Sequence, residues 1–206
     1  MQSQFAEVLE YYSTLPKTEL TAVIFAVAYL VLAIRQNIWC WVCAGISTAL
    51  YVYLFANANL YMESLLNVFY FGMAIYGWSV WRGGKADDEL PVTIWPMSVH
   101  TYAISIIVCF AAATGFLLDR FTDAAYPYVD SATTFAAIWA TFLVARKILE
   151  NWWYWLVIDV VSVFIYWTRG LEATAVLFVV YVLLIPIGLI AWTRSYRQLQ
   201  PVAATV

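Results

Sequence analysis

Seven long apolar segments constrain this chain more than any other feature of its sequence. They cover residues 19–35, 38–56, 61–81, 98–118, 129–147, 152–169 and 171–193. Each is close to the roughly 20 apolar residues that a helix needs to cross a bilayer, where lipid cannot satisfy free backbone groups. Only 11% of the residues are charged, against about 25% in a typical soluble domain. The pattern predicts an all-α polytopic membrane protein with seven transmembrane helices.

The basic residues are divided unequally between the two sides of these spans. One side carries seven of the ten Lys and Arg residues: Arg35, Arg82, Lys85, Arg146, Lys147, Arg194 and Arg197. The other side carries Lys17, Arg120 and Arg169. Because Lys and Arg accumulate in cytoplasmic loops, the N-terminus is predicted outside and the C-terminus inside. Residues 1–18 are then a periplasmic segment, 82–97 a cytoplasmic linker and 194–206 a cytoplasmic tail.

The first three spans, 19–81, share a pattern with the last three, 129–193. The offsets between Leu60, Tyr70, Gly77 and Trp81 recur in Leu171, Tyr181, Gly188 and Trp192. Aromatic belts explain tryptophan at span ends in any membrane protein, but they explain four matched offsets less easily. One intervening span, 98–118, leaves both triplets inserted in the same direction. We therefore predict a 3+1+3 parallel repeat, as in SWEET-type transporters, whose substrate lies between the repeats.

The sixth span carries polar and aromatic residues along one stripe. Trp152, Trp155, Asp159 and Ser162 occur at i, i+3, i+7 and i+10, which places them on one helix face. A carboxylate inside a span costs at least ~2.5 kcal/mol, whereas two aromatic faces followed by an anion suit a planar cation. The stripe is therefore predicted to bind substrate. The alternative is that Asp159 bonds to a hydroxyl or amide of another helix.

Other spans offer further candidates. The predicted substrate-binding residues outside the sixth span are Glu63, Asn67, Tyr70, Thr48 and Tyr51, and the predicted gate residues are Trp39, Trp41 and Asp130. Asn67 is equally consistent with a hydrogen bond between helices. A helix N-cap is the alternative role for Asp130.

Cofactor and enzyme chemistry find little support in the sequence. Cys40 and Cys43 lie in an apolar run without a second pair, and the single histidine, His100, begins a span with no evident partner. Too few ligands remain for zinc or haem, so no metal and no cofactor are expected. Ser47 and Ser131 have no histidine or lysine at span depth to act as a base, so the chain is not expected to be an enzyme. A net charge of −3 without a long basic run argues against a nucleic-acid partner.

Three stretches carry a resemblance to a known family: LYMESLLNVFYFGMAIYGWSVW, YPYVDS and ARKILENWWYWLVIDVVSVFIYW. They resemble the Pnu (PnuC-like) family of bacterial vitamin transporters, whose branches take up nicotinamide riboside, thiamine or riboflavin. The most specific marks are the E-N-W-x-x-W run and the Y-G-W-x-x-W end of the third span. The resemblance implies the 3+1+3 arrangement, the N-out/C-in orientation, a bacterial inner membrane and a homotrimer. It also implies facilitated diffusion, with a cytoplasmic vitamin kinase that traps the substrate.

The departures from that family bear on the substrate. In the riboside branch the motif usually reads W-x-x-W-x-x-x-N, whereas this chain has Asp159 at the last position, and Asn67 replaces a usual Gln. Thiamine lacks a ribose diol, so its binding depends more on its thiazolium charge and its aminopyrimidine, which an acceptor-only carboxylate can pair with. The sequence therefore favours the thiamine branch (PnuT). Nicotinamide riboside is the alternative, and an uncharged sugar is a remote one.

Overall fold

The computed structural model describes residues 17–57, 61–83, 90–123, 126–168 and 172–199. Within these ranges it contains seven helices: α1 Lys17–Ile34, α2 Trp39–Asn57, α3 Tyr61–Arg82, α4 Met97–Phe121, α5 Pro127–Ala145, α6 Asn151–Thr168 and α7 Glu172–Leu199. The predicted all-helical class is confirmed, and most bounds lie within three residues of the predicted spans. The exception is α7, which continues to Leu199 and so includes the first part of the predicted tail.

Five helices in the described ranges are long and apolar enough to cross a membrane. They are α1, α2, α4, α5 and the Ala175–Gln198 part of α7. The other two, α3 and α6, are rich in tryptophan, tyrosine and polar residues, which lower the mean hydropathy of a helix. Those two helices also carry most of the predicted substrate-binding residues. The chain is therefore a multi-pass membrane protein in which five of the seven predicted spans satisfy a criterion of length and hydropathy.

The chain divides into two compact units. The first comprises residues 1–91 and 187–206, and the second comprises residues 92–186. In the first unit α1 packs on α2 and α2 on α3; in the second, α4 packs on α5 and α5 on α6. Short connections between successive helices favour this packing of neighbours.

The turns that follow α1 and α5 have the same backbone geometry. Gln36 and Lys147 have φ of 54° and 51°, and within the described ranges they are the non-glycine residues with positive φ. Each turn has the two crossing hydrogen bonds of a Schellman helix ending: Gln36 N to Ala33 O (2.9 Å) and Asn37 N to Leu32 O (2.9 Å), and Lys147 N to Val144 O (3.0 Å) and Ile148 N to Leu143 O (2.9 Å). Gln36 and Lys147 are 111 residues apart, as are Leu60 and Leu171. The spacing of the sequence repeat thus recurs in the backbone.

A close approach between α2 and α3 depends on a glycine. The buried indole of Trp41 lies directly against the backbone of Gly77, where an added Cβ would overlap the ring. Trp41 also meets Trp81 edge to face, with ring centroids 5.5 Å apart. The indole N–H of Trp192, which is fully buried, donates to the backbone oxygen of Ala33 (3.0 Å) and so joins the end of α7 to α1. Small residues of this kind let membrane helices pack closely.

Candidate substrate-binding site

Helix α6 has one exposed face and one buried face. The exposed face consists of Trp153, Val157, Val160, Phe164 and Trp167, all at least half exposed. The buried face consists of Asn151, Trp152, Ile158, Asp159, Ser162 and Ile165. In a bilayer the exposed apolar stripe faces lipid, because hydrocarbon is its preferred surroundings. The polar residues of α6 therefore point into the protein.

The predicted stripe coincides with the buried face. Trp152, Asp159 and Ser162 are 3%, 5% and 8% exposed. Trp155 is half-buried and packs against a small cluster that includes Ala137 of α5. At 1.5 Å rise per residue, Asp159 lies about 10 Å along the helix from Trp152. Two indole rings and a carboxylate thus follow one another along an inward-facing surface.

The carboxylate of Asp159 has no protein partner in the part of the chain that the structure describes. Neither Asp159 nor Ser162 makes a side-chain hydrogen bond or ion pair there. An unpaired carboxylate removed from water is strongly unfavourable unless a cation or a proton neutralises it. The alternative role of Asp159, as a hydrogen-bonding link between helices, therefore finds no support among the described residues. The arrangement is suited to a cationic ligand.

The start of α6 is held by polar contacts that the sequence did not suggest. His100 Nδ1 lies 3.1 Å from the Tyr154 hydroxyl, and His100 Nε2 lies 3.8 Å from Glu150 Oε1. Glu150 Oε1 also accepts a hydrogen bond from the backbone N–H of Trp95 (3.2 Å). The expectation that His100 has no partner is wrong, because its partners lie 50 and 54 residues further along the chain. The available signal was the i, i+4 spacing of Glu150 and Tyr154.

In the second predicted span, the hydroxyl of Thr48 donates to its own helix, at the backbone oxygen of Ala44 (2.8 Å). The ring of Tyr51 stacks on Phe55, with centroids 5.4 Å apart. Both candidates are half-buried.

The repeat spacing relates this span to α6. Trp41, Ala44, Thr48 and Tyr51 precede Trp152, Trp155, Asp159 and Ser162 by 111 residues. The first triplet therefore lacks the second tryptophan and the carboxylate of the α6 stripe, so it offers a cation much less.

The candidates in α3 belong to the first unit. Asn67 and Tyr70 are half-buried, and the Tyr70 ring lies 5.7 Å from that of Phe69. The side chain of Glu63 lies outside the described part of the structure. The structure thus brings Trp152, Trp155, Asp159 and Ser162 together on α6, while the α2 and α3 candidates belong to the other unit.

The predicted gate residues have different environments. Trp39 is 58% exposed and meets Trp78 edge to face at 5.7 Å, whereas Trp41 is 3% exposed. Asp130 is exposed in the first turn of α5. The N-cap alternative for Asp130 is wrong, because the helix begins at Pro127 and its N-cap is Tyr126. The Asp130 carboxylate still interacts favourably with the helix dipole.

Metal ligands do not cluster in the described ranges. No group of three or more His, Cys, Asp or Glu side chains lies close enough there to hold a metal ion. Cys40 and Cys43 are both free thiols, the former buried and the latter half-buried. The residues described on α6 therefore bind a ligand, where they do, through aromatic faces and a carboxylate.

Comparisons with known proteins agree with this arrangement. The profile of a family described as nicotinamide mononucleotide transporter matches residues 17–194. The nicotinamide riboside transporter PnuC of Escherichia coli K12 is 25% identical over 179 residues, covering 74% of this chain and 75% of its own. The riboflavin/roseoflavin transporter RibM of Streptomyces davaonensis is 25% identical over 183 residues, covering 84% and 83%.

A solved structure shares the fold. The crystal structure of a vitamin B3 transporter, PnuC, superimposes with a TM-score of 0.73. The match covers 96% of this chain and 90% of that one, at 18% sequence identity.

Proposed function

The chain belongs to the nicotinamide mononucleotide transporter family, and we propose that it carries thiamine across a bacterial inner membrane. The resemblance to PnuC-like transporters is thereby confirmed. The proposed transport is facilitated diffusion, in which a cytoplasmic vitamin kinase traps the substrate by phosphorylation. We further propose the N-out/C-in orientation, the 3+1+3 parallel repeat and a homotrimer. The basic-residue asymmetry supports the orientation, and the matched turns at Gln36 and Lys147 support the repeat.

The observation that carries the proposal is the buried carboxylate of Asp159 beside two tryptophans. Asp159 is 5% exposed and has no hydrogen-bond or ion-pair partner among the described residues. A thiazolium ring would supply the missing positive charge, and the indoles of Trp152 and Trp155 would stack on the flat rings of the vitamin. The aminopyrimidine would donate its N–H groups to the same carboxylate or to the Ser162 hydroxyl. Each polar group of the stripe then has a ligand partner.

A second candidate substrate is nicotinamide riboside. PnuC of E. coli, which is 25% identical to this chain, is named for that substrate. Its pyridinium ring also carries a fixed positive charge, so Asp159 suits it as well. What favours thiamine is the absence of an amide at position 159, since an amide can donate a hydrogen bond to a ribose hydroxyl and an ionised carboxylate cannot. Riboflavin, the substrate named for RibM, is uncharged and gains nothing from this carboxylate.

A binding titration tests the proposal. Detergent-purified protein is titrated with thiamine, nicotinamide riboside and riboflavin, and tryptophan fluorescence and heat are followed. We expect thiamine to bind most tightly, and Asp159→Asn to weaken its binding about tenfold or more, or ~1.4 kcal/mol, because the cation loses a desolvated partner. The matched control is Asp119→Asn, which removes an exposed carboxylate near the end of α4. Tight riboside binding without a thiamine response would assign the chain to the second candidate, and an unchanged Asp159→Asn affinity would remove Asp159 from the site.

A further inference from the structure

Three side chains form a brace at the start of α6, which we call the α6 brace: His100, Glu150 and Tyr154. His100 comes from α4 and is 5% exposed. With its proton on Nε2, the neutral imidazole accepts at Nδ1 from the Tyr154 hydroxyl (3.1 Å) and directs its N–H towards the Glu150 carboxylate (3.8 Å). One ring therefore joins two positions of α6 that are four residues, or about one helical turn, apart.

The linker before α4 reinforces the brace. Thr93 pairs with the turn before α6 on both sides, donating to Lys147 O (3.1 Å) and accepting from Leu149 N (2.9 Å). The Trp95 ring packs on Trp139 of α5 at 6.0 Å, and the Trp95 backbone N–H donates to Glu150. The second half of the predicted cytoplasmic linker is thus attached to the turn, so the turn is held by α4, α5 and the linker together.

The brace occurs in only one of the two related turns. The positions that precede Glu150 and Tyr154 by 111 residues are Trp39 and Cys43, which carry neither a carboxylate nor a phenol. His100 lies on the connector helix, which the repeat does not duplicate. The helix that carries the unpaired Asp159 is therefore the one that receives the polar support.

We propose that His100 is a positioning residue for the substrate stripe. By joining Glu150 to Tyr154, the imidazole sets the rotation of the first turn of α6, and Trp152 and Trp155 lie on that same turn and the next. Loss of the brace lets the turn rotate and misaligns the two indoles with the vitamin rings. The consequence for transport rests on the proposed function, whereas the orientation of the indoles is a property of the protein without ligand.

The test uses 5-fluorotryptophan-labelled full-length protein and fluorine NMR, with resonances assigned by single Trp→Phe variants. We expect His100→Phe to shift or broaden the Trp152 and Trp155 resonances and to leave Trp39 and Trp41 unchanged. His100→Gln, which retains a donor and an acceptor, should restore the wild-type positions. Tyr154→Phe should reproduce the His100→Phe change in a variant that keeps the imidazole. The control is Thr101→Val, an exposed neighbour whose hydroxyl bonds only within its own helix.

Transport kinetics complete the test. In proteoliposomes, His100→Phe should raise KM for the vitamin about tenfold while kcat changes less than twofold, and His100→Gln should recover KM. Unchanged Trp152 and Trp155 resonances in His100→Phe and Tyr154→Phe would overturn the proposal, as would moved resonances with an unchanged KM. If wild-type protein transports none of the three vitamins, the proposed function fails, while shifted resonances that glutamine restores would still support the positioning role.

Discussion

Asp159 and Thr48 occupy matching positions in the two related triplets, yet their polar groups are satisfied differently. The Thr48 hydroxyl bonds to its own helix backbone, whereas Asp159 has no partner in the ranges that the structure describes. Helical periodicity was sufficient to predict the α6 stripe, because i, i+3 and i+7 spacing places residues on one face whatever surrounds them. The same reasoning could not predict the contacts of His100. Its partners are distant in sequence and are brought to it only by the packing of α4, α5 and α6.

Gly77 permits a prediction at the residue scale. Gly77→Ala should destabilise the protein by about 1–3 kcal/mol, because the new methyl group overlaps the Trp41 ring and one of the two helices must move. Gly72→Ala on the same helix is the matched control, since no atom lies within 4 Å of a Cβ there. The measurement is the midpoint of thermal unfolding in detergent, followed by intrinsic fluorescence. A similar midpoint for the two variants would contradict the close packing of Trp41 on Gly77.

At the scale of elements, the positions of the seven helices could be predicted because a bilayer requires apolar segments of a set length. Two boundaries could not. α7 continues to Leu199, since the polar residues after 193 end the apolar segment without ending the helix. The segment around Thr93 is attached to the turn before α6, and its backbone pairing with residues 147 and 149 leaves no mark in local composition. Hydropathy reports which segments avoid water, and it is silent on which backbone groups meet.

The turn after α1 provides an element-scale prediction. Gln36 has φ 54°, a left-handed conformation that costs an L-residue about 1–2 kcal/mol and glycine little. Gln36→Gly should therefore raise the stability of the protein by about 1 kcal/mol, whereas Gln36→Ile should lower it, because a β-branched residue tolerates positive φ poorly. Thermal unfolding of the two variants beside the wild type measures the effect. Equal stability of the glycine and isoleucine variants would show that the turn does not require this conformation.

For the whole molecule, the account combines a membrane transporter of known family with an anionic site for a cationic vitamin. The family match over residues 17–194 includes all seven helices apart from the end of α7. Substrate identity depends on a few side chains of α6, which is why relatives about 25% identical carry different vitamins in their names. A carrier of this kind needs no coupling ion, because an inside-negative membrane potential already favours uptake of a cation by ~2.3 kcal/mol per 100 mV.

The central claim is tested most directly by uptake of labelled thiamine into proteoliposomes under an imposed potassium diffusion potential, with no proton or sodium gradient. The account predicts uptake that equilibrates without a potential and accumulates about 50-fold at an inside-negative 100 mV, as uniport of a monovalent cation requires. Asp159→Asn should slow uptake at low thiamine concentration. Thiamine uptake no faster than in protein-free liposomes, or an accumulation ratio that ignores the potential, would contradict the account.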